Sequence, residues 1–388
     1  MNSFFGKGIL VVSAFLFSLS AASCGGSGSD DPVKTTPTPS TPSTPETPTT
    51  PTEPEKTDTS SFAKGADVSW LTEMEHDGKK FYTSDGKEME CMSLLQSIGM
   101  NAIRLRVWVN PEGGYCDKAD VVTKAERAQK LGMRIMIDFH YSDTWADPSS
   151  QTVPAAWKDY TFEQMKQAVA DHTKDVLTAL KEKSVDVEWV QVGNETRDGM
   201  LWGTKSGDNW VESTSVTGRA SKNAHNYAAY ELAGYDAVKS VYPKAKVVVH
   251  IDKGNDYDGL KWIFDNLKNN GGKWDVIGVS LYPDDATWQT QVDNCLANIT
   301  KLNKEYGSKV VIAEVGTEWD SANASSILNK VVSGAKNLST CEGVFYWEPE
   351  VYNYWKPAIY YTWNWNAYTK GAFDKSGKPT SALTSAFK

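Results

Sequence analysis

The feature that most restricts the fold of this chain is a repeated alternation of strand-like and helix-like segments after residue 60. Eight apolar segments have the composition of buried strands, and they cover residues 65–70, 102–108, 134–140, 187–195, 246–252, 276–283, 309–315 and 343–348. Seven intervening segments have the apolar spacing of amphipathic helices, and they cover residues 89–98, 121–131, 162–181, 224–241, 260–267, 291–306 and 324–338. These repeats predict the α/β class and a single (β/α)8 TIM barrel. A doubly wound sheet is the alternative, but the Gly-rich phosphate loop expected early in that fold is missing.

Polar and aromatic residues collect where the predicted strands end. In the second strand, Ile103, Leu105 and Val107 are predicted to face the helices, which leaves Arg104 and Arg106 for the barrel interior. Other strand ends carry Asp138, His140, His250, Asp252, Tyr282, Trp347 and Glu348. Barrel enzymes keep their active sites at the carboxyl ends of the strands, so this pattern predicts a functional site at that end.

Two glutamates, Glu195 and Glu314, end apolar strands in which a structural carboxylate is not expected. Burying an unpaired charge is costly, and two such carboxylates at strand ends match the acid/base and nucleophile of a retaining glycosidase, which lie ~5–5.5 Å apart. The alternative is that one of them belongs to a structural buried ion pair. The glycosidase interpretation is favoured because no wholly structural role explains both.

Neighbouring residues suggest how the two carboxyls differ. Asn194 directly precedes Glu195 and could donate a hydrogen bond to a sugar 2-hydroxyl. Tyr282 and either Arg104 or Arg106 would keep Glu314 ionised, as a nucleophile must be. Glu195 has fewer predicted partners, so we expect it to keep a raised pKa and to act first as an acid and then as a base.

The 15 tryptophans outnumber the 12 phenylalanines, which fits a sugar polymer as the substrate because sugar rings pack on aromatic faces. Seven of them lie at strand ends or in the following loops and could line sugar subsites, although ordinary packing is equally plausible for each, and these are Trp108, Trp145, Trp202, Trp319, Trp347, Trp363 and Trp365. Trp189 and Trp262 are predicted to lie in the core.

The first residues have the pattern of an export signal rather than of a folded domain. Lys7 precedes a short apolar run, and small residues lead into Cys24, as in bacterial lipoproteins. We therefore predict a signal peptide at 1–23, a lipidated Cys24 with a Pro/Thr-rich linker at 24–61, and a catalytic domain at 62–388. The expected location is the bacterial cell surface, with a lipid anchor in the outer membrane. A plain secretory signal with an incidental Cys24 is the alternative.

Net charge and cysteine usage limit the possible partners. The formal charge of −9 gives no reason to expect nucleic acid or an anionic polymer as a partner. Apart from Cys24, four cysteines remain, which allow three disulfide connectivities that the spacing does not distinguish, with free buried thiols favoured: Cys91, Cys116, Cys295 and Cys341. We predict a monomer that needs no metal and no cofactor and contacts the membrane only through the lipid at Cys24.

Several of these segments together resemble glycoside hydrolase family 53, over essentially all of residues 62–388. The segments are GADVS (65–69), RLRVW (104–108), DFHYSDTWADP (138–148), QVGNE (191–195), GVSLYP (278–283), GVFYWEP (343–349) and AFD (372–374). The resemblance implies a retaining endo-β-1,4-galactanase that acts on the galactan chains of pectin. It implies Glu195 as acid/base and Glu314 as nucleophile. The expected substrate-binding residues are Arg104, Asp138, His140, Asn194, His250, Asp252, Tyr282 and Trp347.

One loop departs from the pattern of this family. Several bacterial relatives have a long calcium-binding loop after the nucleophile strand, whereas residues 316–320 here lead quickly into the next helix, so we expect no calcium site there. Asp252, Asp256 and Asp258 lack the spacing of a known calcium loop and are interpreted as substrate-facing or solvated. Two alternatives stay open: another barrel β-glycanase, such as a mannanase or β-glucanase, and a non-catalytic glycan-binding surface lipoprotein.

Overall fold

The computed structural model describes residues 61–388. The predicted signal peptide at 1–23, Cys24 and the predicted linker up to residue 60 lie outside the described residues. Within residues 61–388, no helix is both long enough and apolar enough to cross a membrane.

Eight parallel strands form a closed barrel, and each strand pairs with the strand before and after it in the chain. In chain order they are β1 (Ala63–Asp67), β2 (Ala102–Val107), β3 (Arg134–Phe139), β4 (Trp189–Val192), β5 (Lys246–Ile251), β6 (Val276–Leu281), β7 (Lys309–Val315) and β8 (Cys341–Trp347). The ring closes where β8 pairs in parallel with β1. The predicted (β/α)8 barrel is therefore confirmed.

Helices connect the strands. They are α1 (Leu71–His76), α2 (Cys91–Ser97), α3 (Lys118–Lys130), α4 (Phe162–Glu182), α5 (Ala220–Val241), α6 (Tyr257–Asn269), α7 (Trp288–Tyr306), α8 (Ala324–Lys336), α9 (Ala358–Thr362) and α10 (Ser381–Ala386). A 3₁₀ turn (Ala155–Trp157) precedes α4, and a hairpin of strands Thr204–Ser206 and Asn209–Val211 lies between β4 and α5. Each of the seven predicted helices corresponds to one of α2 to α8, with shifted ends.

Two apolar layers separate on the two sides of the barrel wall. Ile103, Leu105 and Val107 belong to the large cluster between strands and helices, as predicted. The interior of the barrel is filled by a separate cluster consisting of Ala63, Ala102, Met136, Trp189, Val248, Val276, Val311, Ala313 and Phe345. A Cβ atom on Gly65 would lie 2.2 Å from Cδ1 of Phe345, so the absence of a side chain there makes room for the ring.

Two further predictions about the core have different outcomes. Trp189 is fully buried inside the barrel, as predicted. Trp262 was predicted to be buried, which is wrong: its side chain is 42% exposed on α6. The four cysteines of the described residues are free and buried, which agrees with the favoured alternative.

Candidate active site

A cavity of about 360 Å³ opens beside the carboxyl ends of the barrel strands. Glu195, which follows β4, and Glu314, near the end of β7, both line it. The other lining residues are Trp145, Ala146, Asp147, Asn194, Tyr282, Trp347, Tyr360, Trp365, Tyr368 and Lys370. Five of the predicted site residues thus meet in one cavity, namely Asn194, Glu195, Tyr282, Glu314 and Trp347.

The backbone turn after β4 determines where Glu195 lies. Gly193 has φ +75° and Glu195 has φ +47°, a left-handed conformation that is uncommon for a residue with a side chain. A Cβ on Gly193 would lie 2.7 Å from Cγ2 of Thr196. The N–H of Thr196 donates to the carbonyl of His250 at 2.9 Å, and its hydroxyl hydrogen-bonds the hydroxyl of Tyr227 at 2.7 Å. These contacts attach the turn to β5 and α5.

The Glu195 carboxyl has surroundings that favour its protonated form. The Ser280 hydroxyl donates a hydrogen bond to Oε1 at 2.7 Å. Burial raises the pKa of Glu195 well above its ordinary value, and the charges of Glu314 and Asp252 raise it further. A carboxyl that keeps its proton near neutral pH can act as a general acid.

The Glu314 carboxyl is also buried, but it has partners that favour its charged form. Arg104 Nη1 lies 2.9 Å from Oε1, and the Tyr282 hydroxyl donates to Oε2 at 2.6 Å. Burial raises the pKa of Glu314 to about 7, while Arg104 and the Tyr282 hydroxyl act in the opposite direction. The pair therefore combines one carboxyl whose pKa is raised well above its ordinary value with one whose pKa is kept near 7 by a cation and a hydrogen-bond donor.

The structure distinguishes the two arginines that the sequence left open. Arg106 pairs with Glu348 at 3.0 Å and does not contact Glu314. Its guanidinium lies 3.9 Å from the ring centroid of Trp145 and 4.5 Å from that of Trp70. Arg106 thus helps to hold these two rings in place, and Trp145 is one of the residues that line the cavity.

Arg104 is the centre of a buried polar layer directly beneath the cavity. Its guanidinium lies 2.8 Å from carboxylate oxygens of both Asp67 and Asp138, and Nη2 donates to the side-chain oxygen of Gln191 at 2.9 Å and to that of Asn194 at 3.0 Å. Arg104 therefore orients Asn194 and Glu314 from below and does not itself line the cavity.

The two predicted histidines lie in the same buried layer. His140 Nδ1 accepts a hydrogen bond from the N–H of Ala146 at 3.0 Å, which leaves Nε2 to donate to Asp138 at 3.1 Å. His250 Nε2 lies 2.8 Å from the hydroxyl of Ser280. Burial lowers the pKa of both imidazoles, so they are neutral and act as fixed hydrogen-bonding groups.

The predicted aspartates after β5 are not among the lining residues. Asp252 pairs with Arg197 at 2.6 Å, and burial raises its pKa. Asp256 caps the N-terminus of α6 by accepting from the N–H of Gly259 at 3.2 Å. In the part of the chain that the structure describes, no group of three His, Cys, Asp or Glu residues could hold a metal ion.

The tryptophans suggested as subsite residues divide into different environments. Trp145, Trp347 and Trp365 line the cavity. Trp108 lies edge-on against Trp145 at 5.3 Å between ring centroids and is buried. Trp202 is buried beneath Arg219, whose guanidinium lies 3.8 Å from the ring centroid. Trp202 therefore has a packing role.

Sequence reasoning missed several residues of this site. Asp67 and Ser280 are polar residues near the ends of apolar strands, so the strand-end argument could have found them. Gln191 lies inside β4, and nothing in the alternation alone distinguishes it from an ordinary interior residue. Tyr360, Tyr368 and Lys370 come from the segment after β8, which has no periodic pattern, and their place in the cavity was not visible from the sequence.

Comparison with known proteins agrees with this geometry. Residues 63–338 match the family model described as glycosyl hydrolase family 53. An arabinogalactan endo-beta-1,4-galactanase of Thermothelomyces thermophilus is 30% identical over 74% of this chain and 89% of that protein. An endo-beta-1,4-galactanase of Bacillus subtilis is 28% identical over 74% of this chain and 70% of that protein. The solved GH53 catalytic domain of Ignisphaera aggregans superposes with a TM-score of 0.72 at 28% identity, over 83% of this chain and 94% of that one. The chain belongs to glycosyl hydrolase family 53, and it is a glycoside hydrolase.

Proposed function

We propose that this enzyme hydrolyses internal β-1,4-galactosidic bonds of pectic galactan (type I arabinogalactan) with retention of anomeric configuration. The printed names of its relatives in Thermothelomyces thermophilus and Bacillus subtilis support the substrate. The observation that carries the mechanism is that Glu195 and Glu314 line one cavity and have unlike partners.

In the first step, Glu314 attacks the anomeric carbon while Glu195 gives its proton to the glycosidic oxygen. The bond from that carbon to the leaving oxygen breaks, and a covalent galactosyl ester of Glu314 forms. In the second step, water attacks the same carbon, Glu195 takes a proton from the water, and the ester bond breaks.

The charge of Glu314 links the two steps. While Glu314 is an anion, it raises the pKa of Glu195 and keeps the acid protonated. When the ester forms, that charge disappears and the pKa of Glu195 falls. The same carboxyl is then suited to act as the base for the attacking water.

The proposed substrate contacts use the remaining predicted residues. Asn194 donates from Nδ2 to the carbonyl of Ala146 at 2.8 Å, so its side chain is held beside Glu195 for a sugar hydroxyl. Tyr282 and Trp347 line the cavity next to Glu314. Arg104, Asp138, His140 and His250 act through the polar groups that they orient. Asp252 pairs with Arg197, and its charge helps to raise the pKa of Glu195.

Replacing Glu314 tests the mechanism. We expect Glu314→Ala to lower turnover of linear galactan by roughly 10⁴-fold or more while galactan still binds, because only the attacking group is removed. Turnover is measured as reducing-sugar release, with Glu305→Ala on the protein surface as the control. Near-wild-type turnover of Glu314→Ala would contradict the nucleophile assignment.

Azide distinguishes the two glutamates with an activated aryl glycoside. In Glu314→Ala, azide can fill the vacated space and attack once, which gives the inverted galactosyl azide. In Glu195→Ala, the ester still forms and azide attacks it, which gives the retained anomer. Reversed products would exchange the two roles. If galactan is untouched while mannan or barley glucan is cleaved, the substrate assignment is wrong.

We further propose that the enzyme is exported and anchored at the bacterial surface by a lipid on Cys24, with residues 24–61 as a linker, and that it acts as a monomer. The motif before Cys24 supports the anchor. We expect Cys24→Ser to move the protein from the membrane fraction to the soluble fraction, measured by immunoblot after fractionation. An unchanged membrane fraction would contradict the anchor, and light scattering of the soluble protein tests the monomer.

A further inference from the structure

A carboxyl that the proposed mechanism does not use is buried behind the turn that carries Glu195. Glu231, on α5, is fully buried. Within residues 61–388, neither of its carboxyl oxygens meets a donor at hydrogen-bonding geometry. Burial raises the pKa of Glu231 well above its ordinary value, so the carboxyl keeps its proton at neutral pH. An apolar side chain of the same size would cost less free energy at this position, which points to a role other than stability.

Close packing brings Glu231 against the turn. Gly234 lies one helical turn further along α5, and a Cβ atom on it would lie 2.5 Å from Cγ1 of Val192, the last residue of β4. A Cβ atom on Gly193 would lie 3.5 Å from Oε1 of Glu231. The carboxyl therefore lies directly behind the residue at which the chain turns toward Glu195.

Two hydroxyls connect this carboxyl with the acid/base. Tyr227 lies one helical turn before Glu231, and its hydroxyl is close enough to act against the effect of burial on the pKa of Glu231. The same hydroxyl hydrogen-bonds that of Thr196 at 2.7 Å. Thr196 directly follows Glu195, and its hydroxyl also donates a long hydrogen bond, 3.4 Å, to the carbonyl of His250. A chain of polar contacts thus leads from α5 through the turn to β5.

The proton of Glu231 determines the direction of these contacts. Each hydroxyl has one proton to donate. If Thr196 donates to the carbonyl of His250, Tyr227 must donate to Thr196, and the Tyr227 oxygen can then accept the proton of the Glu231 carboxyl. An ionised Glu231 would only accept, and it would draw the proton of Tyr227 away from Thr196. The protonated carboxyl therefore allows all the contacts to form together.

The groups around Glu231 favour this neutral form. Tyr141, which follows β3, also faces it, because the charge of an ionised Glu231 adds to burial in raising the pKa of Tyr141. The Tyr141 hydroxyl is already hydrogen-bonded to that of Thr173 on α4 at 2.7 Å. Burial and the Tyr227 hydroxyl are the causes of the shifted pKa of Glu231, and no cation contributes to it. Nothing in its surroundings therefore stabilises a charge there.

We propose that Glu231 is a positioning residue that holds the acid/base Glu195 in place. It acts through the hydroxyls of Tyr227 and Thr196, and the inference rests on the proposed role of Glu195. The anchored end of this chain is the carbonyl of His250, whose imidazole contacts the Ser280 hydroxyl that donates to Glu195. Backbone and carboxyl of the acid are thus held by connected groups. Proton transfer to a leaving oxygen depends on such placement.

The test compares a substrate that needs the acid with one that does not. Galactotetraose needs a proton on its leaving oxygen, whereas the leaving group of dinitrophenyl β-galactobioside departs without one. We expect Glu231→Met, which keeps the length but has no proton to donate, to lower kcat/KM for galactotetraose roughly three- to tenfold and for the aryl glycoside less than about twofold. Glu231→Gln should keep more than about half of both values, because its amide can donate to Tyr227.

Two further variants separate positioning from general damage. Glu350→Met is the matched control: it removes another fully buried carboxyl, and we expect it to change both substrates by the same factor. Combining Glu231→Met with Tyr227→Phe should cost no more than the larger single loss, because both residues act in one chain of contacts.

Two results would overturn the inference. One is an equal loss for both substrates in Glu231→Met, and the other is a Glu231→Gln enzyme as impaired as Glu231→Met. If Glu231→Met does not fold, Tyr227→Phe interrupts the same chain, and an equal loss for both substrates in that variant has the same meaning. If wild-type enzyme cleaves neither substrate, the proposed function itself has failed, which differs from these results.

Discussion

At the scale of single residues, the backbone of Glu195 has a strained conformation that neighbouring contacts hold in place. A left-handed φ at a residue with a side chain costs on the order of 1 kcal/mol, so surrounding contacts must hold it. The hydroxyl pair of Thr196 and Tyr227 provides such a contact on the side away from the cavity. Glu231, on the same helix as Tyr227, is fully buried there, and burial raises its pKa well above the ordinary value.

Removing this hydroxyl pair should affect catalysis more than binding. We expect Tyr227→Phe to lower kcat on galactan by roughly three- to tenfold with little change in KM, because Glu195 loses part of its fixed orientation. The measurement is steady-state kinetics between pH 5 and 8. Tyr230→Phe is the control, since Tyr230 lies on the same helix and donates to the carbonyl of Val216, away from the cavity. Equal changes in both variants would indicate general loss of stability instead.

The proposed roles of the two glutamates come from the sequence, whereas their partners could be predicted only in part. A carboxylate at the end of an apolar strand is conspicuous by itself, so the sequence alone marks Glu195 and Glu314 as candidates, and the structure shows that both line one cavity. Arg104 and Arg106 both face inward from β2, and their long side chains made them equivalent in the sequence. Their different roles follow from their tertiary contacts, because Arg106 pairs with Glu348 and packs against Trp145.

At the scale of elements, apolar pattern located the strands and helices but not their ends. The fourth strand was predicted over residues 187–195, whereas β4 covers Trp189–Val192. Strand pairing ends at Val192 because the chain turns at Gly193, which has a positive φ. The apolar pattern alone does not show where such a turn begins. The consequence is functional, since Glu195 lies in a turn and not on the strand.

Short elements were missed for a related reason. Helices α1, α9 and α10 contain 6, 5 and 6 residues, which is less than two helical turns each. Periodicity cannot be recognised over so few residues. The segment over residues 352–370 contains α9, and its approach to the cavity depends on tertiary contacts with Asp77 and Glu73, far away in the sequence.

At the scale of the whole molecule, several buried carboxyls make the stability of the folded protein depend on pH. Burial, with a smaller contribution from Glu348, raises the pKa of Glu350 well above its ordinary value. Burial raises the pKa of Glu348 to about 8 despite its ion pair with Arg106. Within residues 61–388, neither carboxyl oxygen of Glu350 has a hydrogen-bond partner. The folded protein therefore holds protons that the unfolded chain releases.

This excess of bound protons predicts that stability falls as pH rises. Each such carboxyl adds its full share to the free energy of unfolding below its unfolded-state pKa. As pH rises above that value, this share is lost at about 1.4 kcal/mol per pH unit until the folded-state pKa is reached. We expect the unfolding temperature to be higher at pH 5 than at pH 8, measured by calorimetry. Glu350→Gln should flatten the decline, because the amide has the same shape and does not ionise. An unchanged slope in that variant would exclude Glu350 as a contributor.

The position of β8 in the ring also affects when the protein becomes active during its synthesis. β8 pairs with both β7 and β1, and it is the last of the eight strands to leave the ribosome. Until it arrives, two strand edges stay open, and the cavity around Glu195 and Glu314 lacks Trp347, Tyr368 and the other lining residues that follow β8. Closure of the barrel and completion of the cavity therefore occur together. We therefore expect a chain that ends before β8 to be inactive on polysaccharide.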